Sequence, residues 1–550
     1  MRGLAKIYAR CVLGAVPPSS AEHLHVATWN IAAVNNNPFE YWITHPSTAY
    51  AALMEAVEQF LNKPGDCDVP VRDVFTPAMF AELRELMADC DWPGIERIEQ
   101  IWEEDWAARP IVAGFMKDKQ LGEKRLASMP DRITNSINTA NGVANRPTVI
   151  SCYRESMRSM DEWWAAWKRF MFEARLPIPD NKGQVSKKLP RELLKKLSRS
   201  KYPALTEEEE ALSLPLQMLC QAIFDAILVH IVNSVSPGGE WMRIKRQLVD
   251  GLFRGKLDRQ LSILEWSYPD CHVVCLQEAA AAFIPLVTSR LGDRYLVIAP
   301  ASLSSSDQNS LILLDRGLFK EASVVDHTDA VIAHFTAPAD DTRPILQFCA
   351  NPRAASAPPV ASGDLLAVGV ERVDGRRFLI ASFHGDTNGL ATIPVLDAVH
   401  RQQQVMPRHE LVFGLDANTY AAGSESRQGV QGFVDAVATC DLSTCFSNPA
   451  DHKRNTTFVA RTFLQPQLQK AVKRSALLDD PPNKQVDRNP KDFIVFSGGI
   501  TKLSEDAVRD NTGRRAFVED MIFPTLDFPS DHAVLSARLG CHTSVPTKLL

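Results

Sequence analysis

The sequence has no surplus of positive charge. Its 550 residues hold 60 lysines and arginines against 66 aspartates and glutamates, a formal net charge of −6. A protein that coats nucleic acid nonspecifically needs a broad basic face, so that class is excluded, although a locally basic or metal-lined cleft is not. A disulfide framework is missing as well. The 11 cysteines are odd in number and scattered, and the closest pairs, Cys271/Cys275 and Cys440/Cys445, lack the CxxC spacing of a zinc site. A reducing intracellular compartment, cytoplasmic or nuclear, is the expectation. Nor does the sequence predict a membrane span. The most apolar helical window, Leu216 to Val235, is interrupted by Gln217, Gln221, Asp225, His230 and Asn233. Residues 1–21 carry Arg2, Lys6 and Arg10, with no acid before Glu22. That composition predicts a flexible N-terminal segment over residues 1–22, with a mitochondrial targeting peptide as the alternative.

What is present is the composition of a folded protein, 45% apolar and 23% charged, in a chain long enough for several domains. Leu24 to Ile31 reads as a strand with Asn30 at its end, and Asn35-Asn36-Asn37-Pro38 then breaks the chain. From residue 39 to 266 apolar positions recur at three-to-four spacing, predicting helices in the windows Ala49–Leu61, Pro77–Cys90, Cys152–Leu176, Thr206–Val235 and Trp241–Trp266. Thr206-Glu207-Glu208-Glu209 supplies a capping hydroxyl and acids for the positive end of a helix dipole. The polar stretches Leu176–Pro190 and Ser198–Pro203 are expected as loops.

After Tyr268 short strands alternate with turns. Cys271–Leu276 leads into Gln277-Glu278; Tyr295–Ala299, Ser310–Leu314 and Ala330–Phe335 follow as strands. Leu365–Arg372 and Arg376–Phe383 flank a Val373-Asp374-Gly375 turn, and the second arm ends at His384. Leu411–Phe413 is short, β-prone and apolar on both faces, the pattern of a strand buried on both sides. Gly414 then permits a close approach, and Asp416 and Asn418 stand two residues apart. Asp492–Phe496 and Ala533–Leu539 are the last strands, the second preceded by Asp531-His532. Helices are expected over Ala279–Leu291 and Ala391–Gln404.

Six strand ends therefore carry polar groups: Asn30, Glu278, His384, Asp416 with Asn418, Asp492, and Asp531 with His532. Each alone has an ordinary structural reading as a cap, a turn or a satisfied core histidine. Their recurrence at the same end of successive apolar strands is what marks a site, because strand ends that converge on one rim are where a sheet scaffold places chemistry. Carboxylates, amides and imidazoles, without a serine or thiol nucleophile in the pattern, suit hard-cation oxygen chemistry on a phosphate ester.

The motifs Thr28-Trp29-Asn30, Leu276-Gln277-Glu278, Ser382-Phe383-His384, Gly414-Leu415-Asp416-Ala417-Asn418, Lys491-Asp492-Phe493-Ile494 and Ser530-Asp531-His532-Ala533-Val534-Leu535 occur in the order of the endonuclease/exonuclease/phosphatase superfamily. The chain resembles that superfamily over residues 24–34 and 268–540. The resemblance implies an α+β fold, a two-sheet α/β sandwich of deoxyribonuclease I type in residues 23–38 and 267–541. It leaves residues 39–266 as a large all-helical insertion after the first strand, where the family has a short connection. It implies Mg2+, with Mn2+ as the alternative ion, bound by Glu278, with Asn30 and Asp531 beside the metal or its waters. It implies that Asp416 orients or deprotonates the attacking water and that Asn418 binds the scissile phosphate. His532 would contact a phosphate oxygen or act as acid/base, with Asp492 fixing its tautomer, and His384 would be a second phosphate-binding or protonating imidazole. The region between Asn418 and Asp492 forms loops beside the cleft in that family, so Arg461 and Lys470, in the basic run Asn455–Arg474, are candidates for the substrate's phosphates.

The implied activity is metal-dependent hydrolysis of a phosphate ester. An endonuclease or exonuclease on DNA or RNA comes first, and a phosphatase or phosphodiesterase on an inositol phosphate, phosphoinositide or sphingolipid second. The acidic balance favours the small ester; the basic run favours nucleic acid. A catalytically inactive binding protein, using the helical insertion to dock a protein partner, comes last. It predicts a broken constellation, and every expected position is filled.

Overall fold

The computed structural model describes residues 6–8, 23–32, 36–180, 183–304, 307–337, 344–350, 357–466, 487–498, 500–502 and 507–541. Two compact units emerge: Met1–Val34, Gly255–Val459 and Asp487–Leu550 form one, Asn35–Arg254 and Ala460–Val486 the other. The division expected at residue 266 falls at Arg254. Helix Lys256–Ser267 belongs with the first unit, where Gln260 donates its amide to the Ile31 carbonyl. The excursion at Ala460–Val486 carries no periodicity that could announce it.

The first unit is a sandwich of two sheets. Its strands are β1 (Lys6–Tyr8), β2 (His23–Asn30), β3 (Val273–Ala279), β4 (Tyr295–Ala299), β5 (Asn309–Asp315), β6 (Val325–Asp326), β7 (Leu365–Glu371), β8 (Arg377–His384), β9 (His409–Asp416), β10 (Leu442–Thr444), β11 (Asp492–Ser497), β12 (Ile500–Lys502), β13 (Val508–Asp510) and β14 (Val534–Cys541). One sheet runs β1-β4-β5-β3-β2-β14-β12, with β13 also on β14; the other runs β6-β7-β8-β9-β11-β10. Strands β2 and β3 are parallel, as are β8 and β9, while β14 lies antiparallel to β2 and β11 antiparallel to β9. Of the segment expected to be a flexible tail, Lys6–Tyr8 forms an edge strand on β4; its remaining residues up to Glu22 lie outside the described residues.

The sheets pack face to face through alternate side chains such as Val26, Cys275 and Ile312 on one and Val368, Ile380 and Val412 on the other. At the centre the separation is small. A Cβ on Gly414 would stand 2.6 Å from the Cys275 Cβ and 3.0 Å from the Thr28 Oγ1, so the glycine is required by a close approach of β9 to the facing sheet. Gln277, fully buried, spans the same gap: its Nε2 donates to Thr28 Oγ1 at 3.1 Å and Ser382 Oγ at 3.0 Å.

Some sequence expectations fail on physical grounds. Ala330–Phe335 lies in a helix, Thr328–Thr336, not a strand. A short continuous apolar run does not distinguish the two, and Asp326 settles it by accepting from the Thr328 N–H at the helix start. The Leu176–Pro190 stretch contains a hairpin, Leu176–Pro179 with Val185–Lys188, rather than only loop. A second hairpin pairs Ser136–Thr139 with Gly142–Asn145, so the insertion is not all-helical.

The second unit is built around helix Ser213–Val235, which is long and apolar enough to cross a membrane by length and composition but has 78% of its most apolar window buried. Asp225, midway along it, is fully buried and accepts from Arg146 Nε at 2.8 Å, Thr148 Oγ1 at 2.7 Å and Trp167 Nε1 at 2.9 Å. The expected cap at Thr206 forms, with Glu209 closing the reciprocal bond.

Candidate active site

Strand direction explains why six dispersed motifs share one rim. The parallel strands β2, β3, β8 and β9 all deliver their C-terminal residues there: Asn30, the Gln277-Glu278-Ala279 end, His384 and Asp416. His384 and Asp416 are directly paired across the ladder. The antiparallel strands β11 and β14 deliver their N-terminal ends to the same rim, so Asp492 lies opposite Asp416 in register and His532 stands just before β14.

Asn30 sits at the middle of the cluster, fully buried. Its Nδ2 donates to Glu278 Oε1 at 3.0 Å and to Asp416 Oδ2 at 2.9 Å, while its Oδ1 accepts from the Ala32 N–H at 2.8 Å. In this orientation Asn30 spaces two carboxylates with its nitrogen, and its oxygen is committed to the backbone. Glu278 reaches the cluster from a bulge. The β3–β5 register shifts between Leu276 and Ala279, and Glu278 adopts φ +53. Left-handed backbone in a residue with a Cβ costs roughly 1–2 kcal/mol, a strain that re-aims the side chain out of the ladder and into the site. Its second oxygen accepts from Gln308 Nε2 at 3.2 Å.

Two imidazoles flank the carboxylates. His384 Nε2 lies 3.1 Å from Glu278 Oε1 and 3.7 Å from Asp416 Oδ2. Burial works against its charged form, but Glu278, with Asp416 and Asp364, outweighs burial and holds its pKa at about 9. His532 Nε2 lies 3.7 Å from the same Asp416 oxygen, and its Nδ1 lies 3.0 Å from Asp492 Oδ2. Burial again opposes the cation, and Asp492 and Asp416 reverse it, so His532 titrates well above an ordinary histidine. Asp492 is held by the Thr456 hydroxyl, which accepts from its N–H at 3.0 Å. The arrangement is a carboxylate–imidazole pair aimed at a second carboxylate, the geometry that fixes a histidine's tautomer.

Asn418, two residues past Asp416, also has positive φ, +46, a conformation asparagine tolerates better than most residues. Its N–H donates to Asp416 Oδ1 at 2.9 Å and its Nδ2 to the Gly385 carbonyl at 2.8 Å. Asp531 is half-buried, and its carboxylate acts electrostatically on both His532 and Lys256. Arg461 falls in the second unit, where its guanidinium pairs with Glu40 and lies over the Tyr41 ring. Lys470 lies outside the described residues.

The site contains residues that motif reading misses. Gln308 sits in a stretch with no distinguishing pattern, and Thr456 lies at the start of the Asn455–Arg474 run, which is marked by its basic residues and not by its hydroxyls. Lys491 is buried beside Asn418, and Lys256 is buried beside Glu278 and Asp531, donating to the Ala32 carbonyl at 2.5 Å. Burial lowers the Lys256 pKa to about 8 against the pull of those two carboxylates. Lys491 stands inside the Lys491-Asp492-Phe493-Ile494 motif, where the resemblance gives a role only to Asp492, and Lys256 opens a helix outside every motif.

Two stacked sheets whose inner strands send carboxylates, amides and imidazoles to a common rim match the architecture that the motif order implies. The fold is the two-sheet sandwich that the resemblance to the deoxyribonuclease I type implies. A family model described as a domain of unknown function (DUF8234) matches residues 68–246, within the second unit. No curated protein matches the chain. Among solved structures the chain is similar to D. rerio TDP2 complexed with single strand DNA product, at 16% identity and a TM-score of 0.31, over 53% of this chain and 95% of that one. An endonuclease/exonuclease/phosphatase family protein from Bacteroides thetaiotaomicron gives 14% identity and a TM-score of 0.31, over 52% of this chain and 89% of that one. The human Nocturnin catalytic domain with bound sulfate gives 17% identity and 0.30, over 51% and 86%.

Proposed function

We propose that the sandwich is a metal-dependent phosphoesterase that hydrolyses a phosphate ester by in-line attack of water. The observation that carries this reading is the sharing of one Asn30 amide by Glu278 and Asp416, with His384 and His532 on either side. Two carboxylates held this close repel each other unless positive charge lies near them. Ligand atoms of Glu278, His384 and Asp416 all lie within 4.8 Å of one another, and the donors at this face are mainly oxygens, so the residues fit a hard divalent cation such as Mg2+ or Mn2+. Glu278 would hold it, with Asp531 nearby and Asn30 keeping the carboxylates apart. When bound, such an ion supplies positive charge opposite the charge that builds on the phosphoryl oxygens.

The chain's own residues do the rest. Asp416, fixed by bonds from Asn30 Nδ2 and the Asn418 N–H, accepts the proton of the attacking water or orients that water. Asn418 Nδ2 donates to a nonbridging phosphoryl oxygen. His532, protonated through its pairing with Asp492, donates to the phosphate or protonates the leaving group, and His384 acts as a second cationic donor. A nucleic acid is the first substrate to assay. A small phosphate ester is the second, and the net charge of −6 favours it.

The test is a screen of the purified protein with Mg2+ or Mn2+ against plasmid DNA, single-stranded RNA, an inositol polyphosphate and a sphingomyelin analogue. Turnover of one class, abolished by chelation and by Asp416→Ala, is the expected result. Full activity in a folded Asp416→Ala variant would sink the mechanism.

A further inference from the structure

We infer that Lys491 is a positioning residue whose ammonium locks the Asn418 amide in the orientation that presents Nδ2, and not Oδ1, to the reacting phosphate. The inference rests on the phosphoesterase reading and adds a residue that the reading does not use.

Lys491 is 5% exposed. Its Nζ donates to Asn418 Oδ1 at 3.0 Å and pairs with Asp487 Oδ2 at 2.7 Å. It also lies 5.5 Å from the centroid of the Tyr420 ring. A buried ammonium is costly to desolvate and persists only with good partners. Asp487 meets that need; the reach to Asn418 is an additional arrangement.

That reach removes an ambiguity intrinsic to asparagine. An amide has two ends of similar size and opposite hydrogen-bonding sense, so its orientation is set by its neighbours. Around Asn418 both ends are specified. The Gly385 carbonyl accepts from Nδ2 at 2.8 Å, and an Asp416 oxygen lies 3.4 Å from the same nitrogen. A flipped amide would set its oxygen against that carbonyl and that carboxylate, and its NH2 against the Lys491 ammonium. Each mismatch leaves a buried polar group unpaired, at roughly 1–3 kcal/mol in general. With Lys491 removed, only the Gly385 end specifies the orientation.

The backbone around the pair is laced to hold this register. The Ala417 N–H donates to the Lys491 carbonyl at 2.7 Å, and the Ala421 N–H donates to Asn489 Oδ1 at 3.1 Å. Asn489 Nδ2 in turn donates to Asp487 Oδ1 at 2.8 Å, the other oxygen of the carboxylate that pairs Lys491. The Asp487–Lys491 segment is therefore tied at several points to Asn418–Ala421. Because the Nζ is fixed between Asn418 and Asp487, it acts through the amide rather than by touching substrate.

A double-mutant cycle with Lys491→Met and Asn418→Ala tests this, using whichever phosphate ester the wild-type protein turns over. Lys491→Met should lower kcat/KM by about 10–100-fold, the scale of a misplaced catalytic group. The double variant should be no worse than Asn418→Ala alone, because the lysine works only through the amide. Lys491→Arg should restore part of the loss. Additive losses overturn the inference and leave the phosphoesterase reading intact. Lys491→Met strands a buried carboxylate, so Lys491→Met/Asp487→Asn is made alongside it to separate misfolding from misorientation. If the wild-type protein turns over no phosphate ester, the broader reading falls. A neutron structure of the double-neutral variant, which locates the amide deuterons, still decides the lysine: a flipped or disordered Asn418 amide supports the lock, and an unchanged Nδ2–Gly385 bond overturns it.

Discussion

Each unit buries a cluster of charge, and the two clusters are built on opposite principles. In the second unit Asp225 is saturated: Arg146, Thr148 and Trp167 all donate to it, and Arg146 spends its remaining nitrogens on Thr134 Oγ1 and Asp131 Oδ1, both at 2.7 Å. At the sandwich rim the carboxylates share their donors. Glu278 and Asp416 divide one amide, and His384 and His532 each approach an Asp416 oxygen at 3.7 Å without completing a hydrogen bond. A saturated network holds a fold together. A cluster that gathers like charges around shared donors stores a demand for a ligand. Burial alone does not tell the two apart; the balance of donors and acceptors does.

If that distinction is right, variants of the two clusters fail differently. Asp416→Ala should cost about 10²–10⁴-fold in turnover, the usual weight of a general base, while the thermal midpoint of the folded protein stays within a few degrees. Asp225→Ala should do the reverse. It takes from the buried Arg146 cation its principal partner, at about 3–5 kcal/mol, read as a lower urea midpoint, while turnover per folded molecule is unchanged. An Asp225 variant that folds normally but loses activity would break the comparison.

Chain position explains why the rim is legible in the sequence and other features are not. Asn30, Glu278, His384, Asp416, Asp492 and His532 each close or open an apolar strand, so alternation and turn residues are enough to mark them. The strand direction that puts an N-terminal Asp492 beside a C-terminal Asp416 belongs to pairing, and a single strand's pattern does not contain it. The same holds for the bulge that aims Glu278, since positive φ at a glutamate leaves no trace in composition. The roles of Lys491 and Lys256 are hidden for a related reason: their partners, Asn418 and Ala32, are 73 and 224 residues away. Within the second unit the windows Ala49–Leu61, Pro77–Cys90 and Thr206–Val235 are largely helical, but Cys152–Leu176 is helical only from Met160 and helix Ile95–Glu104 falls outside the expected windows. Leu176–Pro179 forms a hairpin arm despite its prolines because tertiary context overrides weak local preference.

The core of the sandwich offers a milder contrast with its rim. Gly414→Ala would push a methyl group to 2.6 Å from the Cys275 Cβ, with no flexible side-chain end to give way. Overpacking of this kind costs about 1–3 kcal/mol, which denaturant titration would measure. Because Gly414 lies two residues before Asp416, a shifted β9 should also lower turnover, by less than Asp416→Ala does. A neutral Gly414→Ala would mean that the sheets can separate without disturbing the rim.

The last effect, read in ion affinity and not in turnover or stability, is a coupling between protons and metal at His384. Its pKa in the fold is about 9, raised from 6.5, so the proton it gains is a stabilising one. That stabilisation is complete below about pH 6.5 and is lost as pH rises through about 9. Glu278 is the largest contributor raising the pKa, and Glu278 is also the carboxylate proposed to hold the cation. Charge neutralised on Glu278 by a divalent ion is withdrawn from His384, whose pKa must then fall, and ion binding must expel a proton wherever the imidazole was charged. The apparent affinity for Mg2+ should therefore strengthen by up to about tenfold per pH unit between roughly pH 7 and 9, and level off above that. Calorimetry in two buffers of different ionisation enthalpy would count the proton released, and His384→Asn should abolish both the proton and the slope. The Asp225→Asn variant, if folded, should leave both untouched, since its cluster has no unmet charge for an ion to enter. Metal binding with no pH dependence across that window would place the ion somewhere other than beside Glu278.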